Sequence, residues 1–132
     1  MSSKEEAKRI ITDAGPVSIT DRYILAEIKP DQFIDENNVE AFLEAIKRLA
    51  GHKGMPMLSI IGKNTSASAE ARRFAADPSN TSLISHHAVV IQSKAQELLG
   101  NFFIGMNEPK MPTRIFTNQE EAIQWLTDIQ DQ

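Results

Sequence analysis

The chain has 132 residues, the length of a single domain with one core. Its net charge of −4 at pH 7, with lysine and arginine residues scattered along the chain, argues against a nucleic-acid or anionic-membrane surface, because such surfaces need clustered positive charge. The absence of cysteine excludes a disulfide framework, a thiolate nucleophile and a cysteine-based metal site, and it is consistent with a reducing cytoplasm.

Residues 1–15 are polar, and two structures are open for them: a frayed helix, or a leading strand through Arg9–Thr12 before the break at Ala14–Pro16. We assign residues 1–15 to an N-terminal arm and residues 16–132 to the domain. The arm lacks the apolar segment of a signal peptide, and no apolar run approaches membrane-spanning length. We therefore expect a soluble, cytoplasmic protein that does not insert into a membrane.

The first half of the domain is predicted to contain two strands, a helix and a third strand. Val17–Thr20 and Arg22–Ile28 alternate apolar and polar residues, as in a tight hairpin or a bent strand pair. From Asp35 the apolar residues recur at helical spacing, and Gly51 stands where a helix commonly ends in the left-handed conformation. Met55–Ile61 is a short apolar run typical of a strand buried on both faces.

The second half is predicted to alternate helices with strands. A helix from about Ala67 to Asp77 precedes a strand over His86–Ile91. Ser93 and Gln96 then form a capping box, in which each side chain bonds a backbone N–H at the start of a helix, and this helix extends to Met106.

The last predicted unit is a strand followed by a helix. Thr113–Phe116 follows two prolines that favour an extended entry. Thr117 and Glu120 have the spacing of a second capping box, which would start the final helix at Thr117. Strands that alternate with single helices indicate right-handed crossovers. The predicted fold class is therefore α/β, with a mostly parallel central sheet of about five strands and about four helices in a single domain.

Several segments together resemble the bacterial SpoIIAA-like proteins of the STAS superfamily. They are Tyr23–Pro30, Glu70–Phe74, Ala88–Ser93, Asn101–Phe103 and Pro109–Leu126. This resemblance covers about residues 17–129 and implies the anti-anti-sigma-factor fold, which is shared in outline with CRAL-TRIO lipid carriers. Most such stand-alone proteins have no established activity, and a shared fold supports a function only by analogy.

The resemblance also implies a position for a regulatory serine. Anti-anti-sigma factors carry it at the start of the helix after the central strand, commonly within Asp-Ser-Ser/Thr-Gly. Ser66 and Ser68 lie at about this place, but the preceding Asp and the following Gly are missing, and Ser59 occupies a strand position where an acidic residue is expected. A phosphate here would meet the helix N-terminus and could pair with Arg72. The alternative is that one serine only caps the helix.

Metal and catalytic sites are not expected. His86 and His87 are neighbours in a strand and point to opposite faces, so they cannot bind one ion together. No Gly-x-Ser-x-Gly turn, Gly-rich phosphate loop or acidic partner for a loop histidine is present. We expect no cofactor, no metal and no enzymatic activity.

Two aromatic features suggest a binding surface. Phe102, Phe103, Met106 and the Met55/Met57 pair could line an apolar ligand pocket, although such stripes are more often plain core. Trp125 lies at the edge of the last helix stripe, where it packs over the sheet edge or anchors a partner.

These features favour a regulatory or protein-interaction domain with an unidentified protein partner. A carrier or sensor of a small apolar ligand is the alternative, and an unrecognised enzyme ranks third. A partner module predicts an apolar or phosphorylatable patch near residues 63–74, whereas a ligand carrier predicts a cavity between the sheet and the helix of residues 94–106. Assembly into a homodimer is left open.

Overall fold

The structure is a computed structural model that describes residues 9–51, 54–77, 83–97 and 111–130. Its strands and helices follow one another in the order β1 (Arg9–Thr12), β2 (Gly15–Ile19), β3 (Ile24–Ile28), β4 (Phe33–Ile34), α1 (Glu36–Ala50), β5 (Met55–Ile61), β6 (Ser66–Ala67), α2 (Ala69–Ala76), β7 (Ile84–Val90), β8 (Thr113–Phe116) and α3 (Gln119–Gln130).

Six strands form one mixed sheet in the order β1-β2-β3-β5-β7-β8. The first three pair antiparallel, and β3, β5, β7 and β8 pair parallel. The predicted α/β class and the mostly parallel sheet are therefore confirmed. The sheet has one strand more than predicted because Arg9–Thr12 forms an edge strand on β2, the second of the two structures left open for this part of the chain.

The helix α1 covers one face of the sheet. Asp35 is its N-cap, with its side chain accepting from the N–H of Asn38 while the Asn38 side chain accepts from the N–H of Asp35. Gly51 ends it with φ 67° and donates its N–H to the Lys47 carbonyl at 2.8 Å, as predicted for a residue in the left-handed region. The buried stripe of α1 includes Phe42 and Ile46, which join the core on this face.

The helix α3 covers the opposite face, where Ala122 and Leu126 pack on Leu58 of β5 and other buried residues. The predicted start of this helix at Thr117 is wrong. The Asn118 side chain accepts from the N–H of Glu121 at 3.0 Å, and the first helical residue is Gln119. Asn is at least as good an N-cap as Thr, so the neighbouring residue takes the position.

The capping box predicted at Ser93 forms only in part. Ser93 Oγ accepts from the Gln96 N–H at 3.2 Å, but the side-chain oxygen Oε1 of Gln96 accepts from the N–H of Gln92 rather than from that of Ser93. The structure describes residues 94–97 of this helix, and the predicted continuation to Met106 lies outside the described residues. Within the described ranges, no helix is long and apolar enough to cross a membrane.

The helix predicted from Ala67 begins two residues later. Ser66–Ala67 instead form the short strand β6, which pairs parallel with Phe33–Ile34 in a second, two-stranded sheet. Ser68 is then the N-cap of α2, and its hydroxyl accepts from the N–H of Ala71 at 3.0 Å. The loops that follow β3 and β5 are thereby held together at the carboxyl edge of the parallel strands.

Candidate functional site

A cavity of about 160 Å³ lies between the sheet and α1. We call it the α1 cavity. Its walls are mainly aliphatic side chains from β3, β5, β7 and α1, with Phe42 and Met57 among them. The polar side chains in the described lining are Ser59 and His87. The cavity therefore combines an apolar interior with one local pair of polar groups.

Ser59 and His87 are hydrogen bonded to each other across two neighbouring strands. Ser59 Oγ lies 2.8 Å from His87 Nε2, and Ser59 is only 3% exposed. In the parallel pairing of β5 with β7, His87 stands opposite Met57 and Ser59 opposite Val89. The two side chains are thus diagonal neighbours on the face that α1 covers.

Burial sets the charge of this pair. It lowers the pKa of His87 from 6.5 to about 4, because the imidazolium form would lose its hydration. His87 is therefore neutral at pH 7, with a proton on one ring nitrogen only. His87 as a whole is only partly buried, and we attribute its remaining accessible surface to the cavity that it lines.

An irregular register places His87 on this face. Met55 pairs with Ile84 and Met57 pairs with His87, so β7 advances by three residues where β5 advances by two. This extra residue in β7 reverses the alternation of its side chains. His86 consequently lies on the opposite face, where its ring centroid is 6.3 Å from that of Trp125. The two histidines point apart, as the sequence predicts for neighbours in a strand.

A second concavity, of about 390 Å³, opens at the carboxyl ends of β3, β5 and β7. We call it the edge groove. Its floor is aliphatic, and the side chains of Asn64, Ser66, Arg72, Ser93 and Gln96 supply polar groups around it. Ligands of open α/β sheets commonly bind at this edge of the parallel strands.

The edge groove and the α1 cavity are adjacent. Four aliphatic residues line both, and they are Ile28, Ile34, Ile61 and Val89. At these positions the same side chains form a wall of both spaces.

Side-chain hydrogen bonds fix the loops around the edge groove. Thr65, 4% exposed, donates its hydroxyl to the Lys29 carbonyl at 2.6 Å and accepts from the Gln32 N–H at 3.1 Å. Gln96 donates from Nε2 to the carbonyls of Gly62 and Thr65. These bonds join the segments that follow β3, β5 and β7, so the rim of the groove has a defined shape.

The predicted switch residues fall on two different surfaces. Ser66 and Arg72 line the edge groove, and Ser66 is exposed. Ser68 caps α2 and lines a separate surface depression with Asp35, Glu36 and Glu70. A phosphate on Ser68 would face these carboxylates, which disfavours it. Of the two serines, Ser66 is the one that lines the same groove as Arg72.

The predicted aromatic surface is described only at Trp125. This residue is half-buried and packs on Phe116, with ring centroids 5.8 Å apart, and on His86. Its contacts are those of a side chain that covers the edge of the sheet. Phe102, Phe103 and Met106 lie outside the described residues.

Sequence reasoning did not identify the Ser59–His87 pair. A serine within hydrogen-bond distance of a histidine is also the start of a catalytic dyad. Here, however, no described residue accepts a hydrogen bond from Nδ1, and a pKa of about 4 makes His87 a weak base at pH 7. In the described ranges, no three histidine or carboxylate side chains converge as a metal site would require.

A family model described as a domain of unknown function, DUF7793, matches residues 17–130, so the chain belongs to that family. No curated protein matches the chain. A solved structure from Shewanella loihica PV-4, an uncharacterized DUF3478-family protein with a SpoIIAA-like fold, matches at 15% identity and a TM-score of 0.59, over 90% of this chain and 94% of that one. A protein of unknown function from Arthrobacter sp. FB24 is 22% identical over 92% of both chains, with a TM-score of 0.30. The first likeness confirms the predicted SpoIIAA-like fold.

Proposed function

We propose that this DUF7793 domain is a non-enzymatic binding domain that senses or carries a small, largely apolar ligand in the α1 cavity. The observation that carries the proposal is the cavity itself, an apolar space of about 160 Å³ between the sheet and α1. Protein interiors are close-packed, and voids larger than a water molecule are few. A space of this size on one face of the sheet is therefore a candidate binding site.

The volume of the cavity indicates the size of the ligand. An engineered apolar cavity of about 150 Å³ in another protein stays dry and binds benzene. The α1 cavity has a similar volume and a similar lining, so a molecule with one six-membered ring matches it. A ligand that binds the folded protein and not the unfolded chain would raise its stability.

The edge groove supports the same function by offering a larger volume. Its 390 Å³ falls within the range of small-molecule sites, and it shares four aliphatic wall residues with the α1 cavity. The sequence predicts a ligand cavity between the sheet and the helix of residues 94–106. The α1 cavity lies elsewhere, because α1 forms its outer wall.

The surroundings of Ser59 support a binding role over catalysis. Catalysis by a serine would need a basic histidine, a group that orients it and donors for the developing oxyanion. Burial weakens His87 as a base, and in the described chain Ser59 is the residue hydrogen bonded to its ring. The pair is better suited to hold a ligand by one hydrogen bond than to transfer a proton.

A regulatory protein-interaction domain is the second candidate. Its specific support is the exposed Ser66, which lines the edge groove together with Arg72, within the Lys63–Phe74 segment. The groove would then accept an apolar side chain of a protein partner, and modification of Ser66 would change the charge at its rim.

The leading function is tested by filling the cavity. Ala75 lines the α1 cavity, whereas the neighbouring Ala76 does not appear in its lining. We expect methylenecyclohexane, used as an apolar probe, to bind the unmodified protein in NMR titrations and to raise its melting temperature. Ala75→Leu should weaken this binding at least tenfold, and Ala76→Leu should leave it unchanged.

The same experiment can refute the function. If neither this probe nor the ketone of the same shape, cyclohexanone, binds the unmodified protein, or if Ala75→Leu binds them as well as the unmodified protein does, the α1 cavity is not a ligand site. Native mass spectrometry of the protein purified from its own cells would show the mass of a retained natural ligand.

A further inference from the structure

The hydrogen-bonding capacity of the Ser59–His87 pair restricts the ligand further. Neutral imidazole has one N–H donor and one acceptor nitrogen. The contact between Ser59 Oγ and His87 Nε2 uses one of them, and Nδ1 has no hydrogen-bond partner among the described residues. One hydrogen-bonding group of His87 is therefore left for something other than these residues.

The unused nitrogen is accessible from the cavity. Every fully buried side-chain nitrogen or oxygen atom in the described part of the chain has a hydrogen-bond partner. Nδ1, which has none, must therefore keep accessible surface. Because His87 lines the α1 cavity, we assign this surface of Nδ1 to the cavity.

The tautomer follows from Ser59. The described bonds give the hydroxyl of Ser59 one partner, Nε2 of His87. If Nε2 carried the proton, the Ser59 O–H would have no acceptor, and a buried donor without an acceptor is the rarer and costlier defect. Ser59 therefore donates to Nε2, and the ring proton is on Nδ1. The group that His87 presents to the cavity is an N–H donor.

We propose that the ligand of the α1 cavity has a single uncharged oxygen acceptor, such as a ketone carbonyl on a six-membered ring, that accepts a hydrogen bond from Nδ1–H of His87. This inference rests on the proposed function and deepens it. A charged carboxylate does not meet the requirement, because its desolvation among aliphatic side chains costs far more than one hydrogen bond returns. A purely apolar ligand would leave the N–H without an acceptor.

The test uses two probes of the same shape. Cyclohexanone and methylenecyclohexane differ only in that a carbonyl oxygen replaces a CH₂ group. Because the two probes are hydrated differently in water, their affinities would differ even without a hydrogen bond to the protein. The informative quantity is therefore the ketone-to-alkene affinity ratio, compared between protein variants. His87→Phe removes the donor, and His86→Phe is the matched control because His86 lies on the opposite face beside Trp125.

We expect the ketone-to-alkene affinity ratio to fall about fivefold in His87→Phe, within the range for one buried hydrogen bond, and to be unchanged in His86→Phe. His87→Phe leaves the Ser59 hydroxyl without a partner, and the variant could fold poorly for that reason. The double variant Ser59→Ala/His87→Phe removes this hydroxyl and should give the same ketone-to-alkene affinity ratio. In the unmodified protein, NMR of ¹⁵N-labelled histidine should show the proton on Nδ1 of His87 and a shift of that signal when cyclohexanone is added.

The outcomes separate this inference from the function on which it rests. If both probes bind, Ala75→Leu blocks both and His87→Phe leaves the ratio unchanged, the cavity is a ligand site but the hydrogen bond is refuted. A proton found on Nε2 would also refute it. If neither probe binds the unmodified protein, the proposed function itself fails.

Discussion

The buried, neutral His87 predicts that the protein loses stability when the pH falls from 7 to 5. Its pKa is 6.5 when exposed and about 4 in the fold, so between these values the unfolded chain binds the proton more readily. The stability from His87 is therefore fully present above pH 6.5 and is lost as the pH falls toward 4. The full shift corresponds to about 3 kcal/mol, and the loss between pH 7 and 5 to about 2 kcal/mol.

The measurement is urea denaturation at pH 5, 6 and 7. His87→Gln removes the titrating group, and the new side chain can still hydrogen bond to Ser59. Between pH 7 and pH 5 the unmodified protein should lose about 2 kcal/mol more of its free energy of unfolding than His87→Gln loses. His86→Gln controls for the loss of a histidine, and staying above pH 5 limits the contribution of carboxylates. If the pH dependence of His87→Gln equals that of the unmodified protein, His87 is not held neutral by burial, and the assignment of a single ring proton to Nδ1 fails.

Three further predictions concern capping, the groove rim and the switch. Asn118→Ala should lower the free energy of unfolding in urea by about 1 kcal/mol, whereas Thr117→Ala should lower it by only a few tenths of a kcal/mol. A larger loss for Thr117→Ala than for Asn118→Ala would mean that Thr117 is the N-cap of α3. Thr65→Val leaves the Lys29 carbonyl and the Gln32 N–H without their partner and should cost about 2–3 kcal/mol, whereas Thr65→Ser should cost under half of that; equal losses would show that the hydroxyl is not the cause. Ser66→Glu should change the proteins that co-purify from native extract, and an unchanged set would count against a switch in the edge groove.

Local patterns in the sequence were sufficient for most of the sheet and its helices. The alternation in residues 17–28 and the helical spacing from Asp35 to Gly51 each lie within one segment, so they predict the hairpin and α1 without knowledge of the rest of the fold. Met55–Ile61 was predicted with the bounds that β5 has. These elements depend on which side chains are apolar, which the sequence shows directly.

The two-residue strands β4 and β6 could not be predicted in this way. Phe33–Ile34 and Ser66–Ala67 are too short to show any periodicity, and each pairs only with the other. Their pairing depends on the close approach of the loops after β3 and β5, where a Cβ atom on Gly62 would lie 2.4 Å from the carbonyl carbon of Lys29. Such an approach is a property of the assembled sheet rather than of either segment.

The candidate site was missed for a related reason. In the sequence, Ser59 stood out because an acidic residue is expected at its strand position. His87 stood out because it is adjacent to His86, and the two could not bind one metal ion. Each judgement used only neighbours along the chain, whereas the two residues are 28 positions apart and meet across a parallel strand pair. The apolar runs around these two residues indicate that both strands lie at the centre of the sheet. They do not show which residue of one strand pairs with which residue of the other.

The register itself depends on one residue. If β7 had continued in step from the pair Met55 and Ile84, His86 would stand opposite Met57 and would face α1. The extra residue brings His87 to that face instead, and with it Val89 rather than Ala88. The polar pair, the donor that it presents and the shape of the cavity wall therefore follow from a single irregularity between Ile84 and His87. In a sequence with two adjacent histidines, the binding chemistry that we propose depends on which of the two faces α1.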